Sequence, residues 1–272
     1  MPKVSINTIT HNRGSLLKEA IESVMSQSFT DWEYIIIDDA STDNTEEIVK
    51  SFNDKRIIYE KVEKQPNIPT ARNLCLEKSK GKYIAILDSD DIWCDRDKLK
   101  KQVEFLDSNP NYILVGTNSV FIDHKGHELY KLNFPEKNKQ IKKLILGRCS
   151  FSHSNVLFKN NITKYPVNFK TICIEDHHLY LELGKYGKFY NLQSYSSKIR
   201  KTKGNITEKF REDQIKQFNY INKLYKNIYP NYYSNLLNNY FKILIFDKLK
   251  LKKLGNFIIK TKNIYLINIL QK

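Results

Sequence analysis

Four strand-like apolar segments divide the first hundred residues, and the intervals between them carry helical spacing. Val4, Ile6 and Thr8 alternate with other residues up to Thr10-His11-Asn12, and Leu17, Ala20, Ile21, Val24 and Met25 then predict a helix over 15–27. Tyr34-Ile35-Ile36-Ile37 is an unbroken apolar run, suited to a strand covered on both faces, and it stops at Asp38-Asp39-Ala40-Ser41. Asp43 and Glu46 resemble a capping box opening a short helix to about Phe52. A third strand falls at 56–59. Pro69 suits the first turn of a helix carrying Ala71, Leu74, Cys75 and Leu76, which Gly81 closes. The fourth strand, 83–87, runs into Asp88-Ser89-Asp90-Asp91. This βαβαβαβ order calls for a mostly parallel, helix-covered sheet, in which ligands collect at the carboxyl ends of strands. The polar clusters fall at those ends and point to a nucleotide or sugar-phosphate site.

The remaining chain reads less regularly. A helix is expected over 96–108 with Leu99, Val103 and Leu106 on one face, then a strand over 112–122, a hairpin turn at His124-Lys125-Gly126-His127, and a helix over 137–146. A strand over 155–158 and a helix over 177–186, ended by Gly187, follow. The stretch 198–205 is the best loop and boundary, and helical spacing returns from about 206, with Pro230 opening a further helix. The domains expected are a catalytic one over 1–205 (halves 1–110 and 111–205) and a basic, aromatic helical extension over 206–272.

The charge of +15 is uneven. Residues 1–100 hold 15 Lys/Arg against 18 Asp/Glu, 101–206 hold 17 against 8, and 207–272 hold 13 against 4. A basic second part suits either an anionic membrane or a solvated lysine-rich surface, and no nucleic-acid signature accompanies it. The extension, with Tyr232-Tyr233, Tyr240-Phe241 and Lys248 to Lys253, would either lie on a membrane or pack on the catalytic domain. Four scattered cysteines, no signal-peptide pattern and no apolar run near the roughly 20 residues of a span lead to the expectation of a cytoplasmic protein.

Asp88 and Asp90, two apart on an extended segment, can face one site, and hard ions such as Mg²⁺ and Mn²⁺ take carboxylate oxygens while keeping positions for phosphate. Capping of the next helix is the plainer use of such residues. No P-loop or dinucleotide-binding glycine run is present.

Five ordered motifs carry a resemblance: Val4-Ser5-Ile6 through Thr10-His11-Asn12-Arg13, Ser26-Gln27-Ser28-Phe29, the segment from Glu33 to Asp43, Ala71-Arg72-Asn73, and the segment from Gly81 to Asp91. Together they resemble the nucleotide-binding half of inverting family 2 glycosyltransferases of the GT-A fold. Ile9 and His11 depart from that pattern, where Pro and Tyr are common. The resemblance implies an α/β, Rossmann-like fold with a helical C-terminal extension, a UDP-sugar donor, Mn²⁺ or Mg²⁺, and a glycan or lipid-linked glycan acceptor. It implies that Thr10, Asn12, Arg13, Asp39, Arg72, Asp88, Ser89 and Asp91 bind the nucleotide-sugar and that Asp90 ligates the metal. Arg200, in Arg200-Lys201-Thr202-Lys203-Gly204, resembles a mobile basic loop that can close over the diphosphate, and a solvated loop suits the same residues equally.

Glu175-Asp176 resembles the family's ED motif, which implies that Asp176 is the catalytic base and that Glu175 contacts the acceptor. Direct displacement at an anomeric carbon needs such a group to take the acceptor's proton. A helix start also favours both carboxylates through its dipole. His153 resembles an acceptor-side residue and equally suits a buried structural role, while His177 and His178, which follow the base, are expected on a helix surface, the alternative being to orient substrate or touch the metal. Two alternatives stand beside the transferase: a synthase charging polyprenyl phosphate with a sugar, and a catalytically inactive nucleotide-sugar-binding protein.

Overall fold

The structure, a computed structural model, describes residues 1–161, 174–201, 211–235 and 237. In chain order the elements are β1 (Val4–Thr10), α1 (Gly14–Met25), β2 (Trp32–Asp39), α2 (Thr45–Ser51), β3 (Ile57–Val62), α3 (Ile68–Lys78) and β4 (Tyr83–Ile86). There follow β5 (Ile92–Trp93), α4 (Lys98–Ser108), β6 (Tyr112–Ile122), β7 (Glu128–Leu132), α5 (Asn138–Leu144), a 3₁₀ turn (His153–Asn155), β8 (Leu157–Lys159), α6 (Glu175–Leu183), β9 (Lys188–Arg200) and α7 (Arg211–Leu224).

The strands join one sheet in the order β3-β2-β1-β4-β8-β6-β9-β5, with β7 paired antiparallel to the last residues of β6. The first half, β3-β2-β1-β4, is parallel throughout. Antiparallel pairing begins where β8 joins β4, and β6 and β9 return to parallel. This is the expected helix-flanked α/β architecture of the GT-A fold.

β2 shows why the sheet is covered on both sides. Tyr34 and Ile36 pack into the core under α1 and α4, while Ile35 and Ile37 pack with Cys75 of α3 on the other face. Alternation along one strand thus feeds two apolar layers, as a buried parallel strand requires. A third cluster joins Ile84, Leu114 and Phe158 to Leu179, Leu183, Ile221, Tyr225 and Tyr229, so the described part of the C-terminal segment is built into a core.

Several expectations need correction. Residues 198–200 are not loop: β9 runs to Arg200, paired with Ile122 of β6. The first helix of the ED segment begins at Glu175 and closes at Gly184, earlier than Gly187. Asp43 caps nothing in the boxed sense; its carboxylate instead accepts from Gly14 N at 3.1 Å and Thr45 N at 3.1 Å, pinning the starts of α1 and α2 together. The buried face of α4 includes Lys98 and Gln102 beside Leu99, Val103 and Leu106. Lys98 is tolerated there because its Nζ donates to Gln102 Oε1 at 2.8 Å and lies 4.0 Å from the Trp93 ring centre. His177 and His178 are not on a surface. His177 stacks on Phe218 of α7 at 4.2 Å and His178 hydrogen-bonds the Tyr225 hydroxyl at 2.8 Å. The segment after Pro230 is helical over 232–235, and most of its expected continuation lies outside the described residues.

Candidate active site

Parallel strands present their carboxyl ends on one side, and the polar motifs assemble there. An open cleft of about 270 Å³ is lined by Ile9, Arg13, Ile68, Arg72, Asp88, Ser89, Asp90, Asp91, Ile199 and Arg200. The cleft therefore gathers seven of the residues singled out from the sequence. Glu175 adjoins through Arg72, and Asp176 follows it in the first turn of α6. Thr10, Asn12 and Asp39 stand at the ends of β1 and β2, outside that lining.

Asn12 and Ala40 take left-handed backbone conformations, with φ of 51° and 64°. Asparagine enters that region readily because its short side chain bonds locally. Here Asn12 Oδ1 accepts from Thr42 N at 2.7 Å, and Asn12 N donates to Ser41 Oγ at 2.8 Å, so Asn12 stitches the β1 and β2 loops. Asp38 is fully buried and accepts from Ser41 N and the Tyr59 hydroxyl. Asp39 is the more accessible of the pair, accepting from Gln65 N at 2.6 Å and from Lys64 Nζ at 2.5 Å. Thr10 Oγ1 is buried without a hydrogen-bond partner.

The acidic turn after β4 is held from three directions. Ser154 Oγ accepts from Asp88 N at 3.1 Å and donates to Asp91 Oδ2 at 2.5 Å. Arg200 N donates to Asp91 Oδ1 at 2.9 Å, and Arg200 Nε donates to the Asp90 carbonyl at 3.1 Å. The Arg200 guanidinium also donates to His124 O and pairs with Glu19 of α1 at 2.7 Å. Arg200 is thus a buried brace of the turn, where the sequence suggested a loop residue. Ser154, Glu19 and Trp93, whose Nε1 donates to Ser154 O at 2.7 Å, were not singled out for this role. Glu19 lies off the apolar stripe of its helix, so nothing in its spacing marks it.

Each carboxylate meets a different environment. Burial works to raise Asp88, but Arg72 at 3.0 Å, with Arg13 near, outweighs it and holds Asp88 below its usual range. Burial, with Asp88 adding to it, raises Asp90 despite Arg13 at 3.0 Å. Asp91 is raised well above its usual range by burial and by both neighbours. Among the described residues no three His, Cys, Asp or Glu side chains converge as a metal cage. One carboxylate at the cleft is nonetheless the donor set that suits an ion sharing its coordination with water and phosphate oxygens. Asp90 fits that role better than Asp91, whose two oxygens are already engaged by Ser154 and Arg200.

Arg72 spans the site. Its Nη2 pairs with Asp88 at 3.0 Å and its Nε with Glu175 at 3.2 Å. Burial and the adjacent Glu175 charge push Asp176 up to about 7. A carboxylate so placed exchanges a proton readily near neutral pH. His153 is buried against the Tyr180 hydroxyl at 2.8 Å, and burial with the Arg72 charge drops it to about 3, so it is neutral.

An open α/β sheet with arginines and carboxylates gathered at its parallel strand ends defines an enzyme of the GT-A class. The chain belongs to the glycosyl transferase family 2, whose family model matches residues 5–165. The glycosyltransferase TuaG of Bacillus subtilis is 42% identical over 107 residues, a match covering 39% of this chain and 42% of TuaG. WfgD of Escherichia coli, a UDP-Glc:α-D-GlcNAc-diphosphoundecaprenol β-1,3-glucosyltransferase, is 30% identical over 77% of this chain and 81% of its own. The fold is similar to that of S. aureus TarS in complex with UDP-GlcNAc, with a TM-score of 0.71 and 19% identity over 92% of this chain and 76% of the TarS chain. The protein is a glycosyltransferase.

Proposed function

We propose that this glycosyltransferase moves a hexose or N-acetylhexosamine from a UDP-sugar to a hydroxyl of a glycan acceptor, with inversion, in a single displacement. The Arg72 bridge is the observation that carries the proposal. One guanidinium ties Asp88, on the donor side, to Glu175, the neighbour of the candidate base. Fixing the donor-side and acceptor-side groups relative to one another supports a direct displacement, which gains its rate from holding the reacting groups in one geometry.

Asp176 takes the acceptor hydroxyl's proton as the new C–O bond forms at the anomeric carbon, and the bond to the diphosphate breaks with its electron pair leaving on the nucleotide. Arg13, Arg72, Asp88 and Ser89 hold the donor sugar and diphosphate, Asp91 fixes the turn behind them through Ser154 and Arg200, Asp39 and Thr10 line the base end, and Asn12 shapes the loop between them. Glu175 and His153 border the acceptor. Asp90 would hold Mn²⁺ or Mg²⁺, which when bound supplies positive charge to the departing diphosphate. The names of WfgD and of the TarS complex support a UDP-linked donor, and that of WfgD supports a lipid-linked acceptor.

A lipid-linked acceptor suits a protein that rests on the cytoplasmic face of a membrane. No helix among the described residues is long and apolar enough to cross one. Tyr220, Leu224 and Ile228 are exposed four residues apart, with Tyr233 and Leu237 beyond them and Lys223 in the last turn of α7. Such a basic, apolar face supports peripheral contact with anionic lipid.

Turnover tests the proposal: UDP release is measured with UDP-glucose and UDP-N-acetylglucosamine against a diphosphoundecaprenol-linked acceptor. Release that Asp176→Asn lowers by about 10²-fold or more is expected. Activity that survives Asp176→Asn and prefers polyprenyl phosphate would favour the synthase instead. Recovery of the protein in the supernatant with anionic vesicles at low salt would remove the membrane contact.

A further inference from the structure

Two arginines reach the acidic turn, and they are held very differently. The Arg200 side chain is only 4% exposed and is fixed by Asp90 O, His124 O and Glu19. The Arg13 side chain is 39% exposed, and it reaches the turn through Asp90 Oδ2 at 3.0 Å and Ser89 Oγ at 3.5 Å. Arg200 is built in. Arg13 sits on the short connection between β1 and α1, directly after the left-handed Asn12 and just before the helix. Its side chain extends over the cleft, and among the described residues Asp90 and Ser89 are the side chains that hold its guanidinium.

Asp90 is the carboxylate a divalent ion would use, because Asp91 is engaged on both oxygens and Asp88 faces Arg72. A guanidinium 3.0 Å from that carboxylate and a metal ion bound to it are like charges drawn to one negative group, so each weakens the other's hold on it. We propose that Arg13 is a competitor for the cation at Asp90: binding of the ion displaces the guanidinium, which moves onto the donor's diphosphate. The same residue thereby opposes uptake of the ion alone and favours uptake of ion and nucleotide together. This makes metal and donor binding cooperative, since the anionic diphosphate gives the displaced arginine a new partner within the same cleft. The inference rests on the proposed metal and nucleotide site and goes beyond it in giving Arg13 opposite effects on the two ligands.

Titration calorimetry of the full chain with Mn²⁺ alone, and with UDP at saturating Mn²⁺, separates those effects. Arg13→Gln is expected to bind Mn²⁺ alone about three- to tenfold more tightly than the wild type and UDP–Mn²⁺ more weakly by a similar factor, the range of a partly exposed ion pair. Arg13→Lys, which keeps the charge, is expected to fall between. Thermal melts of the three proteins establish that each is folded. Mn²⁺ affinity unchanged or weakened in Arg13→Gln, with UDP–Mn²⁺ binding intact in the wild type, would overturn the competition and leave the proposed function standing. A folded wild type that binds neither Mn²⁺ nor UDP–Mn²⁺ would overturn both.

Discussion

Arg72 Nε lies 3.2 Å from Glu175 Oε1, and through that contact the helix after β3 is joined to the first turn of α6. The two residues are 103 positions apart in the chain and both are buried. A buried pair is costly to break because one charge is left without its partner. Arg72→Gln is therefore expected to destabilise the fold by about 3 kcal/mol and to abolish most activity, whereas Arg72→Gln with Glu175→Gln recovers part of the stability, Asp88 still lacking its partner, and none of the turnover. Chemical denaturation of the single and double variants measures this, and a stable Arg72→Gln single variant would contradict it.

The pH profile of kcat/KM follows from Asp176, raised to about 7 by burial and then by the Glu175 charge. A base works deprotonated, so the rate should climb as pH rises through 7 and level off above it. Glu175→Gln removes the neighbouring negative charge, so the midpoint of the climb should move to lower pH. A profile that is flat from pH 5 to 8, or a midpoint that moves upward in Glu175→Gln, would speak against Asp176 as the titrating group.

The first hundred residues were legible because their physics is local. Alternation, an apolar run and a polar stop lay within ten residues of each other, and β1, β2, β4 and the cluster from Asp88 to Asp91 fall where those signals put them. The braces were not legible, because they join residues far apart in the chain. Glu19 and Arg200 are 181 residues apart, and Ser154 and Asp91 are 63 apart. Residues 198–200 read as loop because Lys198, Arg200 and Lys201 lie close to Gly204 in the sequence, and only the pairing with β6 shows that they end β9. His177 and His178 read as polar surface since no pattern announces that α7 covers them.

Ser154 ties both ends of the acidic turn, accepting from Asp88 N and donating to Asp91. Ser154→Ala leaves a buried amide and a buried carboxylate short of partners, at a cost of about 1–3 kcal/mol. The melting temperature should fall by roughly 2–4 °C per kcal/mol for a chain of this size, and UDP affinity should fall with it. An unchanged melt and unchanged affinity would mean the turn holds itself.

Lys98 is fully buried, and burial lowers its ammonium to about 7. A lysine depressed below its unfolded value near 10.4 binds fewer protons when folded, so its contribution to stability rises with pH from about 7 to about 10. Comparing the wild type with Lys98→Met across that range should show the wild type gaining on the variant as pH rises, by up to a few kcal/mol. A constant difference between pH 7 and 10 would mean that Lys98 keeps its ordinary ionisation.

The most direct test of the central claim, a UDP-sugar and metal site at the ends of β1 and β4, is thermal unfolding with UDP, GDP, CDP and ADP, each with and without Mn²⁺. A ligand at one hundred times its dissociation constant stabilises by about 2.7 kcal/mol, or roughly 5–10 °C here. The account predicts a shift of that size with UDP plus Mn²⁺, smaller shifts with the other nucleotides, and loss of the Mn²⁺ dependence in Asp90→Asn. No shift with any nucleoside diphosphate, or a UDP shift indifferent to Mn²⁺ and to Asp90, would contradict it.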